Sequence, residues 1–249
     1  MYQFFVPVEN IQGNRISITG DDVNHIKNVL RMKVGEEIAI SNGEDGKEYR
    51  CGIEEIGDEI VCSLRFIKED GVELPSKITL FQGLPKADKM ELIIQKAVEL
   101  GVYEVVPVSM ARSIVKLDEK KQKSKLARWQ SIAEAAAKQS KRSIIPQVQP
   151  VMTMKQALSY AGKMDMLFVP YELAEDMNKT RELFDRIKPG QSIGFFIGPE
   201  GGFDETEIRL ALDNGAQPIT LGKRILRTET AGMAVLSILM YQLEGRNIE

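Results

Sequence analysis

The chain has 249 residues, enough for one large or two ordinary domains, and is 43% hydrophobic and 28% charged, a soluble globular profile. Two cysteines cannot build a disulfide framework and one histidine cannot build a multi-histidine metal centre, so neither an oxidising compartment nor a zinc site is expected. The net charge of −3 conceals an asymmetry, because Arg112 to Arg142 holds ten Lys/Arg against three Asp/Glu.

Residues 1–72 read as β-rich. Phe4–Val6, Arg15–Thr19, Glu37–Ser41, Tyr49–Ile56 and Ile60–Ile67 are short strands separated by turn formers such as Asn42-Gly43 and Gly57-Asp58, the pattern of a small barrel. One helix interrupts them, from Asp21 or Asp22 to about Arg31. Val23, Ile26, Val29 and Leu30 form its inward stripe, and His25 and Arg31 point outward. Cys51 and Cys62 fall on neighbouring strands and read as small buried apolar groups.

A charged stretch containing Gly71 and Pro75 marks a boundary. Residues 73–249 then alternate strand with helix, which argues for an α/β domain whose parallel sheet is covered on both faces. Strand 77–82 leads to a helix over 87–100, with Met90, Ile93, Ile94, Ala97 and Val98 on one face and Gly101 as its stop. Strand 104–110 precedes the basic segment. Its long helix turns Leu126, Trp129, Ile132, Ala133, Ala136 and Ala137 inward, which confines the basic residues to its outer face or ends. Such a charge run has two readings, a solvated helix face or a surface for a polyanion.

Strand 166–169, helix 177–187, strand 192–197, helix 204–214, strand 217–221 and helix 230–244 complete the order. The last helix is apolar nearly all round and needs cover on two faces, from a second subunit or from the monomer's own core. Its apolar run Ala231–Leu243 is 13 residues long, too short to cross a bilayer. The start, MYQFFVPVEN, lacks the basic-then-apolar pattern of a secretion signal, so the expectation is a cytoplasmic protein with no membrane association.

Three apolar runs stop abruptly: Met166–Val169 at Pro170-Tyr171-Glu172, Ser192–Ile197 at Gly198, and Ile219–Leu221 at Gly222. Ligands of open α/β sheets lie beyond the carboxyl ends of strands, so these ends define the predicted cleft. Asp204, with Glu207 three residues later, forms a capping box behind the first glycine loop. No Gly-x-Gly and no Walker motif occurs, and His25 lies outside the cleft. Nicotinamide chemistry, ATP hydrolysis and a serine triad are therefore disfavoured. Backbone is what remains. Gly198, Gly201 and Gly202 open main-chain N–H groups to a ligand, and Ile197, Leu221, Ile225 and Leu226 are placed to sandwich a flat group such as a nucleobase. Gly-Pro-Glu-Gly-Gly alone is most simply a turn, but a second glycine stop followed by Arg227-Thr228-Glu229-Thr230 argues for a site.

The two segments Ile197-Gly198-Pro199-Glu200-Gly201-Gly202-Phe203 and Leu221-Gly222-Lys223-Arg224-Ile225-Leu226-Arg227-Thr228-Glu229-Thr230-Ala231 together resemble the bacterial 16S rRNA uracil-N3 methyltransferases. Further matches are Lys96–Val102, Arg128-Trp129 through Gln139-Ser140, and His25–Arg31. That family belongs to the SPOUT group, whose C-terminal α/β domain carries a trefoil knot. The resemblance implies an N-terminal barrel of PUA or OB type, S-adenosylmethionine as cofactor, no metal, and a homodimer joined through the knotted domains. It implies 16S rRNA or the small ribosomal subunit as partner, with N3 of a uridine in the decoding region as target.

On that resemblance, Val169, Pro170, Tyr171, Ile197, Gly198, Pro199, Glu200, Gly201, Leu221, Gly222, Ile225, Leu226, Arg227 and Thr230 surround the cofactor. Arg227 stabilises charge on the uracil carbonyls and Glu229 or Glu200 assists deprotonation; an ion pair of Arg227 with either carboxylate is the competing reading. His25, Arg31, Arg112, Lys138, Lys141 and Arg142 are the expected RNA contacts. Family members often carry Arg at Gln3 and Gly at Lys141, so an RNA contact by Gln3 is not expected and Lys141-Arg142 should strengthen phosphate binding. Two other functions fit the same residues: methylation of a ribose 2′-hydroxyl, and a non-catalytic ribosome-assembly factor that binds RNA.

Overall fold

The computed structural model describes residues 1–68, 71–171 and 176–245. Its contacts divide the chain into two units, Met1–Glu73 with Ala137–Ile145, and Leu74–Ala136 with Pro146–Glu249.

The first unit is a curled six-stranded sheet of β1 (Gln3–Phe5), β2 (Ile11–Gln12), β3 (Arg15–Ile18), β4 (Glu37–Ser41), β5 (Glu48–Ile56) and β6 (Ile60–Lys68). Their order is β1-β4-β5-β6-β3-β2, parallel at β1–β4 and antiparallel elsewhere. Ile16, Ile18, Ile38, Ile40, Ile53 and Ile60 alternate inward and fill the centre with Phe4, Cys51 and Cys62. Register shifts in the β5–β6 ladder, at Arg50/Cys51 and Ile53/Glu55, mark bulges of the kind that bend a sheet around a core. The expected helix is shorter than its stripe suggests. Helix α1 (Asp21–Asn24) widens into a π turn over His25–Val29, where the Leu30 N–H reaches the His25 carbonyl at 2.9 Å. The wider turn shifts the phase of the stripe, so Val29 stands 61% exposed while Ile26 is fully buried.

Residues 137–145 join this unit through Glu73. Its carboxylate accepts the Ser143 and Ile144 N–H groups at 2.9 and 3.1 Å and binds the Arg142 guanidinium, with Nε at 3.0 Å. Ile145 N–H donates to the Gly43 carbonyl at 3.1 Å, and the Gln3 amide donates to the Arg142 carbonyl at 2.8 Å. A boundary placed by composition at 72/73 does not anticipate this return, because nothing local to 137–145 signals its distant partners.

The second unit is built on strands β7 (Lys77–Gly83), β8 (Glu104–Ser109), β9 (Gln147–Val148), β10 (Met152–Thr153), β11 (Met166–Pro170), β12 (Ser192–Ile197) and β13 (Gln217–Ile219). The order is β10-β8-β7-β12-β11-β13, with β9 also on β8, and every ladder is parallel. Helices α2 (Lys89–Glu99), α3 (Glu119–Gln139), α4 (Met154–Ala161), α5 (Met177–Asp185), α6 (Glu205–Asp213) and α7 (Thr228–Leu243) connect them. Both faces of the sheet are apolar: Phe81, Phe168, Phe195 and Phe196 are fully buried, and Phe81 stacks on Phe196 at 4.4 Å. Strands β9 and β10 and helix α4 lie where no element is predicted. Helix α7, having left β13 on the far side of β11, packs on α2, α5 and β12.

Candidate functional site

Parallel pairing sets the three predicted strand ends side by side. Ile197 of β12 lies opposite Gln82 of β7, Phe168 of β11 opposite Phe195, and Pro170 opposite Ile219 of β13. Glu172, part of the predicted third stop, lies outside the described residues. Tyr171 N–H still donates to the Ile219 carbonyl at 3.0 Å, so the β11 exit follows β13 one residue beyond the strand.

After Gly198 the chain folds back on itself, with Gly202 N–H on the Pro199 carbonyl at 2.9 Å and Gly202 at φ +68°, where a side chain is strained. This loop lies against the end of β7. A Cβ on Gly83 would stand 2.7 Å from Pro199 Cδ and 2.8 Å from its nitrogen, so only glycine permits the approach. Asp204 and Glu207 form the expected capping box of α6, and Glu207 also accepts the Ala111 N–H at 2.8 Å. Arg112, which follows β8, also holds the loop, donating to the Gly201 carbonyl at 3.1 Å. A Cβ on Gly202 would meet no atom within 4 Å, and one on Gly222 only Met177 Cε at 3.9 Å. Gly202 and Gly222 thus leave backbone uncovered in the loops after β12 and β13, but the expected openness fails at Gly198 and Gly201: a Cβ there would stand 3.0 Å from the Gly202 carbonyl carbon and 3.1 Å from Arg112 Cβ, so these two glycines serve the packing of the loop.

The candidate carboxylates share one cation, and it is not Arg227. Lys89 Nζ lies 3.2 Å from Glu200 and 3.3 Å from Glu229. Glu200 also accepts the Lys86 N–H, at 3.1 and 3.3 Å to its two oxygens. Burial pushes the Glu200 pKa upward, but its own and the Lys86 backbone N–H groups and the Lys89 ammonium outweigh that and hold it below the ordinary glutamate value. Lys89 moves the opposite way: hydrogen bonding to Glu200 raises it against desolvation, and Glu229 adds to the rise. Arg227, the residue before α7, stays exposed and makes no ion pair among the described residues. The Arg227–carboxylate pair considered from sequence is therefore replaced by one from Lys89, whose place beside both loops no local pattern announces.

Other predicted residues separate by burial. Val169 and Ile197 are part of the sheet core, at 0% and 2% exposed, while Ile225 is 93% exposed and sandwiches nothing within this chain. Pro170, Leu221 and Leu226 are half-buried. Thr230 points outward; Thr228 is the threonine that turns in, donating to the Gly198 carbonyl at 2.7 Å. In the first unit, His25, Arg31 and Lys141 are exposed, and Lys138 pairs with Asp22 at 3.6 Å. Arg142 is a correction: it is 4% exposed and committed to Glu73, so its charge organises the fold and is not presented to solvent. Lys141 adopts φ +59°, a left-handed conformation that explains why glycine suits this position. Among the described residues no three His, Cys, Asp or Glu gather as a metal site.

A model of the RNA methyltransferase domain matches residues 72–240, and one of the RNA methyltransferase PUA domain matches residues 18–64. The ribosomal RNA small subunit methyltransferase E of Bacillus subtilis is 38% identical, with 98% of each chain covered. The chain belongs to the ribosomal RNA small subunit methyltransferase E family. The Neisseria gonorrhoeae member, solved bound to S-adenosyl methionine, has a TM-score of 0.80 at 33% identity, with 97% of each chain covered. A Legionella pneumophila methyltransferase in complex with the same cofactor has a TM-score of 0.81 at 32% identity, with 96% of each chain covered.

Proposed function

We propose that this chain methylates N3 of a uridine in 16S rRNA, in the decoding region of the small subunit, with S-adenosylmethionine as donor. The rRNA methyltransferase class rests on family membership, and the cofactor on two relatives at or above 32% identity that bind it. The observation that carries the reading is the uncovered backbone at Gly202 and Gly222, in the loops after β12 and β13, with the exposed Arg227 at the end of the second loop, because main-chain groups and one cation position a nucleoside with little acid–base machinery.

Residues of β11, β12 and β13 and their loops hold the cofactor: Val169, Pro170, Tyr171, Ile197, Gly198, Pro199, Glu200, Gly201, Leu221, Gly222, Ile225, Leu226, Arg227 and Thr230. S-adenosylmethionine supplies an electrophilic methyl group, so positioning accounts for much of the rate. The uridine N3 carries a proton on the pairing edge, and the base must be unpaired to be reached. Arg227 stabilises the charge that spreads to the uracil carbonyls. Of the two carboxylates, Glu229 is the better acceptor for the N3 proton, since Glu200 is committed to the Lys86 N–H and its pKa is lowered.

His25, Arg31, Lys138 and Lys141 of the first unit and Arg112 of the second bind phosphate, with Arg142 acting through the fold. The protein is cytoplasmic; no described helix is long and apolar enough to cross a membrane. It forms a homodimer through the second unit, whose trefoil threading is supported by the return of α7 from β13 across β11 to β12. Mapping methylated nucleotides in 16S rRNA of a strain lacking the gene tests the assignment. Loss of one 3-methyluridine, restored by the gene, is expected; loss of a ribose methylation or no loss overturns it.

A further inference from the structure

A buried glutamine is a curious occupant for the apolar strand Lys77–Gly83. Gln82 is 0% exposed, lies beside Ile197 in the ladder, and leaves its Oε1 buried with no hydrogen-bond partner. An orphaned buried acceptor is destabilising, a cost that an apolar side chain of similar volume would not carry and that the amide's other atom must offset. The other end of the amide has a defined task. Its Nε2 donates to the Gly83 carbonyl and to Thr228 Oγ1, both at 2.9 Å, and Thr228 Oγ1 donates to the Gly198 carbonyl at 2.7 Å. Thr228 is itself buried, at 6% exposed.

The direction of this chain is forced. A threonine hydroxyl has one proton, and because Gln82 presents an N–H₂ to the oxygen, that proton is left for Gly198. Three elements are thereby tied at one oxygen: the end of β7, the first residue of α7, and the residue at which β12 becomes the glycine loop. We propose that Gln82 and Thr228 are positioning residues, a buried relay that fixes the Gly198 carbonyl and with it the loop that receives the methyl donor. This rests on the methyltransferase reading above and adds two residues to it. Neither touches the donor; both act through the backbone of Gly198.

Calorimetric titration of S-adenosylmethionine into the wild type and into Gln82→Met, Thr228→Val and Thr228→Ser, with thermal unfolding of each cofactor-free protein, tests the relay. Gln82→Met and Thr228→Val are expected to weaken binding ~10-fold, the effect of losing about one buried hydrogen bond, while Thr228→Ser stays near wild type. Gln82→Met should unfold near the wild-type temperature, because removing the orphaned acceptor offsets the two hydrogen bonds lost, whereas loss of a merely structural residue would lower it. Wild-type affinity in both Gln82→Met and Thr228→Val overturns the relay alone, as does weakened binding accompanied by a lowered unfolding temperature in Gln82→Met. A wild type that binds no S-adenosylmethionine overturns the methyltransferase reading and the relay with it.

Discussion

At the scale of single residues, three backbone positions and one side chain decide most. Ala87 sits at φ +51° in the turn between β7 and α2, and Arg31 and Lys141 share that left-handed conformation. A non-glycine residue there is strained by about 1–2 kcal/mol. Ala87→Gly should therefore raise stability by roughly 0.5–1 kcal/mol, net of the entropy glycine adds to the unfolded chain. Denaturant unfolding measures it, and a destabilised variant would mean that the Ala87 methyl is held by contacts outweighing the strain. Arg227 is the opposite case, a side chain that does nothing for the fold in this structure. Arg227→Ala should lower turnover on rRNA by roughly 10²-fold, the usual consequence of removing a group that stabilises developing charge, and leave cofactor affinity within about threefold. Equal losses in both quantities would mean that the Arg227 guanidinium, and not its backbone alone, holds the donor.

At the scale of elements, the glycine loop after β12 is held by groups from α2 and α7 as well as by its own turn. Glu200 links it to the start of α2 through the Lys86 N–H and Lys89, and Lys89 links it onward to Glu229 in α7. Because the folded Glu200 pKa is below its ordinary value of 4.5, its contribution to stability is fully present above 4.5 and is lost as pH falls through the lowered folded value. The stability gap between wild type and Glu200→Gln should thus be constant near neutrality and shrink in acid. Unfolding curves across that range would show a gap independent of pH if the carboxylate were not engaged. The cap of α6 is more local: Asp204 to Glu207 was readable because a capping box is set by residues three apart. The same signal, Thr153 to Gln156, opens α4 and was open to the same reading, although no helix is predicted there.

At the scale of the whole molecule, α7 joins fold to assembly. Its inner face, Val235, Leu236, Leu239 and Leu243, is fully buried, which accounts for half of an almost wholly apolar helix. The other half is uncovered within one chain: Ile238 is 40% exposed and Tyr241 84%, with Met233 and Met240 half-buried. A second copy of the chain is the partner proposed for that face. Ile238→Asp combined with Tyr241→Glu should convert a dimer to a monomer in light scattering while leaving the far-ultraviolet circular dichroism unchanged, since neither side chain lies in the core. A double variant that remains dimeric would move the interface elsewhere.

The sequence by itself determined what depends on neighbours a few residues apart. Apolar patterning gave the strands of the first unit except β2, and short apolar runs gave those of the second except β9 and β10; glycine stops gave the ends of β12 and the loop after β13, and charge spacing gave the α6 cap. The π turn after α1 escaped because a change of helical pitch alters no residue type, only the phase at which Val29 meets solvent. Tertiary structure alone decided where charges and buried polar groups find partners: Arg142 on Glu73, Lys89 between Glu200 and Glu229, and Gln82 on Thr228, 146 positions away. Such pairs form because desolvated polar groups must be satisfied by whatever the fold brings within hydrogen-bonding reach, and that is set by packing of distant elements rather than by any pattern along the chain.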